Sequence, residues 1–145
     1  MILYMDSSAL AKRYLSEEGS AGVARLVGSA EKVGTSIITR VEVVAALARA
    51  RRQELLDDEP AARLRASFTG HWPALVRLGL VESTVERADA LAWELGLRGY
   101  DAVHLASALA WRESVGESTL FATFDKALGS AARTQGLDVW PQDLG

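Results

Sequence analysis

Four carboxylic acids, Asp6, Glu42, Asp101 and Asp125, each stand where an apolar run meets a helical pattern. Gathered in one place, they would repel and raise one another's pKa unless a cation sat among them. An all-oxygen set of this kind suits Mg²⁺ or Mn²⁺, which favour octahedral oxygen coordination and keep several waters. Such an ion can activate a bound water and stabilise an oxygen that leaves, which is hydrolytic chemistry. Small hydroxyls accompany the acids. Thr123 stands two residues before Asp125 and shares its side in extended chain. It is expected to support that carboxylate or a coordinated water from behind. Ser7 or Ser8 can do the same for Asp6, and Ser7 is assigned that role.

Each acid also has a structural reason to be where it is. Aspartate is among the best helix N-caps, so Asp6, Asp101 and Asp125 all suit that role alone. "TRVE" (residues 39–42) fits the capping box, in which Glu42 reaches back to the Thr39 amide. Their joint placement at strand-to-helix boundaries favours a shared site, and one residue can serve as both cap and ligand.

That placement depends on the elements. "MILYM" (residues 1–5) is a short apolar run without alternation, which predicts a strand buried on both faces. Further strands are expected in "KVGTSII", in "LGLVEST" (residues 78–84), in "STLFATF" (residues 118–124) and in "LDVW". Between them run the helical patterns "ALAKRYL", "AGVARLVGSA", "RVEVVAALARARRQELL", "ARLRASFTGHW", "VERADALAWELGL", the largely apolar stretch after Asp101, and "DKALGSAARTQG". The long third helix is expected to stop around Pro60. Strands alternating with helices predict an α/β fold, a mostly parallel sheet flanked by helices, in one domain over residues 1–145. The carboxyl ends of parallel strands and the amino ends of the following helices share one edge, where ligands bind. All four acids belong to that edge.

Composition narrows the classes. The chain has 145 residues, 49% hydrophobic and 24% charged, as expected of a soluble globular domain. There is no cysteine, which excludes disulfide scaffolds, thiolate zinc sites and cysteine nucleophiles, and suits a cytoplasmic protein. No apolar run is long enough for a membrane span, and no membrane partner is expected. The formal charge of −3 does not advertise a polyanion binder, so attraction to nucleic acid must come from local cations.

Four stretches, "MDSSALAKRYL", "TSIITRVEVVAAL", "RGYDAVHLASAL" and "FATFDKALGSAARTQGL", together resemble PIN-domain ribonucleases, most of all the VapC-type toxins of prokaryotic toxin–antitoxin pairs. The stretches occur in the family's order. About residues 53–78 carry no motif. The resemblance implies a parallel sheet between helices and an Mg²⁺-dependent (or Mn²⁺-dependent) endoribonuclease. Asp6, Glu42, Asp101 and Asp125 would form its metal site, and Thr123 its supporting hydroxyl. It further implies an RNA substrate, products with 5′-phosphate and 3′-hydroxyl ends, a homodimer, and a cognate antitoxin laid on the early helices with a basic side chain near Asp6 or Asp101. Leu128 departs from the family in standing where an aromatic residue is common, which touches packing rather than chemistry.

His104 lies three residues beyond Asp101 on the same helical face. A metal-activated water needs no histidine base, so His104 is expected to be buried and to position the rim. Arg40, beside Glu42 in sequence, is expected to meet substrate, whereas Arg49, Arg51 and Arg52 suit a solvated helix end. Two other classes are open. A phospho-acceptor module or an Asp-x-Asp phosphatase needs a second acid near Asp6, where Ser8 stands instead. A silent binding scaffold has no need for four acids.

Overall fold

The computed structural model describes residues 1–144. Its strands are β1 (Ile2–Met5), β2 (Lys32–Ser36), β3 (Val76–Leu78), β4 (Thr119–Ala122) and β5 (Asp138–Trp140). They form one sheet in the order β3-β2-β1-β4-β5, with every pairing parallel. The helices are α1 (Ser7–Ala11), α2 (Ser20–Ser29), α3 (Thr39–Arg52), α4 (Asp58–His71), α5 (Glu82–Leu95), α6 (Gly99–Val115) and α7 (Lys126–Thr134).

β1 lies at the centre, and all four of its residues are buried. The two-residue period of a strand sends Ile2 and Tyr4 into a core shared with Leu91, Leu105, Leu109 and Leu128 from α5, α6 and α7. Leu3 and Met5 enter a second core with Leu10, Val23, Leu47 and Phe68 from α1 to α4. Helices on both faces explain why the strand shows no polar alternation. From β1 the chain moves outward through β2 to β3, then returns to lay β4 on the other side of β1. The carboxyl ends of β1 and β4 therefore flank the point where strand order reverses, the usual ligand crevice of such sheets.

α6 packs deepest, with Ala102, Leu105, Ala106, Ala108 and Leu109 all buried. Further along it, the Trp111 indole lies against Gly34 of β2. A Cβ at that glycine would stand 2.6 Å from the ring, so only glycine admits the indole here.

Three boundaries differ from the sequence expectation. α3 ends at Arg52, well before Pro60, and Glu54 takes a positive φ of 60° in the turn that follows. Pro60 instead lies in the first turn of α4, where its missing N–H has no helical partner to lose. The third strand is Val76–Leu78 rather than residues 78–84, because Glu82 already begins α5 and Val81 is left exposed. α1 covers only Ser7–Ala11, and the rest of "ALAKRYL" continues as tight turns. Among the described residues, no helix is long and apolar enough to cross a membrane.

Candidate active site

Asp6, Glu42, Asp101 and Asp125 line a single cleft of about 630 Å³ at the carboxyl edge of the sheet. The two strand-side acids each take a backbone amide as one of their donors. Asp6 follows β1 and caps α1, its Oδ1 accepting from the Ala9 amide at 2.9 Å and from Ser8 Oγ at 2.7 Å. Its Oδ2 accepts from Thr123 Oγ1 at 2.6 Å. Thr123 in turn accepts from the Asp125 amide at 3.0 Å, and Asp125 caps α7 through the Leu128 amide at 2.8 Å. Burial pushes the Asp6 carboxyl above the usual carboxylate range, against the opposing pull of His104 and its hydrogen-bond donors. The carboxylate that Thr123 holds is thus that of Asp6, across the sheet, whereas Asp125 two residues on meets Thr123 through its amide. The serine on Asp6 is Ser8 rather than Ser7. Ser8 also accepts from the Phe124 amide at 3.0 Å, so it ties α1 to the chain leaving β4, while Ser7 only lines the cleft.

The helix-side acids are held by side chains. Asp101 lies within the first turn of α6, whose N-cap position is Arg98, so it is not a cap. Its Oδ2 accepts from Arg98 Nε at 3.2 Å, and Arg98 Nη2 donates to Asp125 Oδ2 at 2.9 Å. Burial and the neighbouring Asp125 charge raise the Asp101 pKa, while Arg98 pulls it down. The capping box expected in "TRVE" does not form. Thr39 is already helical, and its hydroxyl bonds to Thr35 Oγ1 at 2.7 Å, which itself donates to the Met5 carbonyl at 2.6 Å. Glu42 is left free to meet His104, with Oε1 2.8 Å from Nε2.

His104 is 1% exposed, and its Nδ1 lies 2.8 Å from the Tyr4 hydroxyl. Burial, with the Asp6 charge adding, holds the Tyr4 pKa well above its ordinary value, so the phenol stays a donor. The complementary arrangement has Tyr4 donating to Nδ1 and Nε2–H donating to Glu42. The ring is thus buried and hydrogen-bonded to its neighbours, as the sequence suggested.

Arg40 departs from expectation. It lines a different groove, between α3 and α4, with Val44, Leu47, Arg51 and Arg65. Two residues along a helix turn a side chain by about 200°, so adjacency to Glu42 carries Arg40 away from the acids. The arginines in the acid cleft are Arg49 and Arg98. Arg98 had no role in the sequence reading, although its position three residues before Asp101 at a helix start was a usable signal.

Among the described residues, no three His, Asp or Glu side chains gather closely enough to enclose a metal ion. Arg98 spans Asp101 and Asp125, and His104 holds Glu42. The donor chemistry nonetheless fits Mg²⁺ or Mn²⁺: four carboxylates face one cleft, with no sulfur donor.

The fold and the sequence both have counterparts among known proteins. The PIN domain family model matches residues 3–134. "Ribonuclease VapC45" of Mycobacterium tuberculosis is 35% identical over 144 residues, covering 99% of this chain and 97% of that protein. "Ribonuclease VapC3" of Pyrobaculum aerophilum is 30% identical over 128 residues, covering 88% and 92%. Among solved structures, FitAcB from Neisseria gonorrhoeae superposes with a TM-score of 0.64 at 18% identity, covering 95% of this chain and 96% of that one. VapBC2 from Rickettsia felis, bound to a DNA fragment from its promoter, gives 0.62 at 12% identity, with 96% and 97% covered.

Proposed function

The chain belongs to the PIN domain family, and on that footing we propose that it is a metal-dependent endoribonuclease acting as the toxin of a toxin–antitoxin pair. The observation that carries this reading is the convergence of Asp6, Glu42, Asp101 and Asp125 on one cleft at the switch point of the sheet. These four carboxylates would hold the ion. Bound there, Mg²⁺ or Mn²⁺ supplies the Lewis acidity that readies water for attack on phosphorus and stabilises the leaving oxygen. The chain's own residues set the geometry. Thr123 and Ser8 fix both oxygens of Asp6, and His104, oriented by Tyr4, aims Glu42. Arg98 and Arg49 give the cleft cations that suit a phosphodiester backbone.

The names of the relatives support RNA as substrate, and a toxin–antitoxin complex from Klebsiella pneumoniae among the structural neighbours supports a cognate antitoxin as partner. A homodimer and a cytoplasmic setting complete the proposal. Divalent-metal thermal shift paired with cleavage of total bacterial RNA tests it. The nuclease is stabilised by Mn²⁺ or Mg²⁺ and cleaves RNA only in their presence. A protein that shows neither effect is a silent scaffold, and the reading fails.

A further inference from the structure

Arg98 does more in the cleft than offer a cation to a phosphodiester backbone, because it already engages two of the four acids. Its guanidinium bridges Asp101 Oδ2 and Asp125 Oδ2, at 3.2 and 2.9 Å, although its side chain is 64% exposed. The two acids are more enclosed, at 9% and 25%. An ion pair with so exposed a partner contributes little to stability, so folding alone gives weak reason for it. Its electrostatic effect is larger, because it sets one positive charge between two carboxylates that otherwise repel. The oxygens it engages are also ones that a divalent ion would need. A guanidinium and a metal ion cannot occupy them together, so each lowers the other's affinity by the same factor. Beside it, the half-exposed Tyr100 ring lies 5.2 Å from the guanidinium carbon and offers a flat rest outside the acids. Anchored at the start of α6, a displaced Arg98 stays at the cleft mouth, and a planar guanidinium there suits a phosphate.

Resting on the metal-dependent nuclease reading, we infer that Arg98 is an exchangeable counter-cation. It neutralises Asp101 and Asp125 in the metal-free protein, yields their oxygens to a divalent ion, and then engages a phosphate of the RNA.

The test compares wild type, Arg98→Ala and Arg98→Lys, with coincident thermal melts as the check that all three fold. Mn²⁺ binding without RNA is followed by electron paramagnetic resonance. Binding of a fluorescein-labelled, mixed-sequence, nuclease-resistant 2′-O-methyl oligoribonucleotide in saturating Mn²⁺ is followed by anisotropy. Arg98→Ala should bind Mn²⁺ about tenfold more tightly than wild type, within the usual range of coupling between sites. The same variant should bind RNA about fivefold more weakly, from the loss of a phosphate contact. Arg98→Lys should fall between on both measures, since it keeps the charge without the fork. A merely structural role would weaken both affinities together. Mn²⁺ affinity equal to or weaker than wild type, or RNA affinity unchanged in Arg98→Ala, overturns the inference. If wild type binds Mn²⁺ and Asp101→Asn does not, that failure belongs to Arg98 alone. If neither wild type nor Arg98→Ala binds Mn²⁺, the metal reading falls and takes this inference with it.

Discussion

On the strand side of the cleft, Asp6 and Asp125 each cap a helix and accept hydrogen bonds from backbone amides. On the helix side, Glu42 and Asp101 cap nothing and are steadied by His104 and Arg98. The two halves present the same functional group, but only the strand-side acids add backbone amides to the side chains that hold them. A strand-side acid is part of the folding of α1 or α7, and removing it costs structure as well as charge. A helix-side acid stands outside backbone satisfaction, so chemistry and stability can be varied separately there. Side-chain partners also move more readily than amides, which makes the helix side the adjustable half.

Replacing Asp6 should do the most damage. Asp6→Ala removes a cap and leaves the hydroxyls of Ser8 and Thr123 without their acceptor. We expect a loss of about 2 kcal/mol in urea unfolding together with at least a hundredfold slower RNA cleavage. A variant of wild-type stability would erase the distinction between the halves. Asp101→Asn should match the loss of cleavage while unfolding within about 0.5 kcal/mol of wild type, because the amide keeps the shape and no cap is lost. Destabilisation as large as that of Asp6→Ala would break the comparison from the other side.

Glu42→Gln should be milder. The amide oxygen still accepts from His104, so stability stays near wild type, while a Mg²⁺ titration of cleavage shifts to higher concentration by about tenfold for the lost charge. Cleavage at wild-type Mg²⁺ demand would show that Glu42 lies outside the metal site. Tyr4→Phe should have the smallest catalytic effect, a few-fold decrease, with about 1 kcal/mol of stability lost along with one buried hydrogen bond. Its sharper readout is the His104 ring in nitrogen NMR, where Nδ1 should lose the signature of an accepted hydrogen bond.

Much of this was legible locally. Five apolar runs, broken by helical patterns, reported the parallel sheet, and the acids at their boundaries reported the edge where a site belongs. What escaped depends on contacts between distant segments. The capping box in "TRVE" fits by spacing, yet the Thr39 hydroxyl is taken by Thr35 on β2, which the local pattern does not contain. Ser7 and Ser8 look equivalent beside Asp6 until the Phe124 amide, 116 residues away from Ser8, selects Ser8. Arg40 lies outside the acid cleft for a geometric reason, since near neighbours in sequence point apart on a helix. "LGLVEST" contains strand-forming residues, but the helix beginning at Glu82 claims its second half, and the three residues that pair with β2 begin earlier, at Val76.

The contact between Gly34 and Trp111 has a genetic consequence. Trp111 lies ten residues along α6 from Asp101, about 15 Å down the helix axis. Any side chain at position 34 must push the indole, and the helix carrying Asp101 must absorb the shift. A selection for inactive alleles should therefore recover changes at Gly34 alongside changes at the acids. Suppressors of those alleles should be sought at position 111, where a smaller residue restores the lost room.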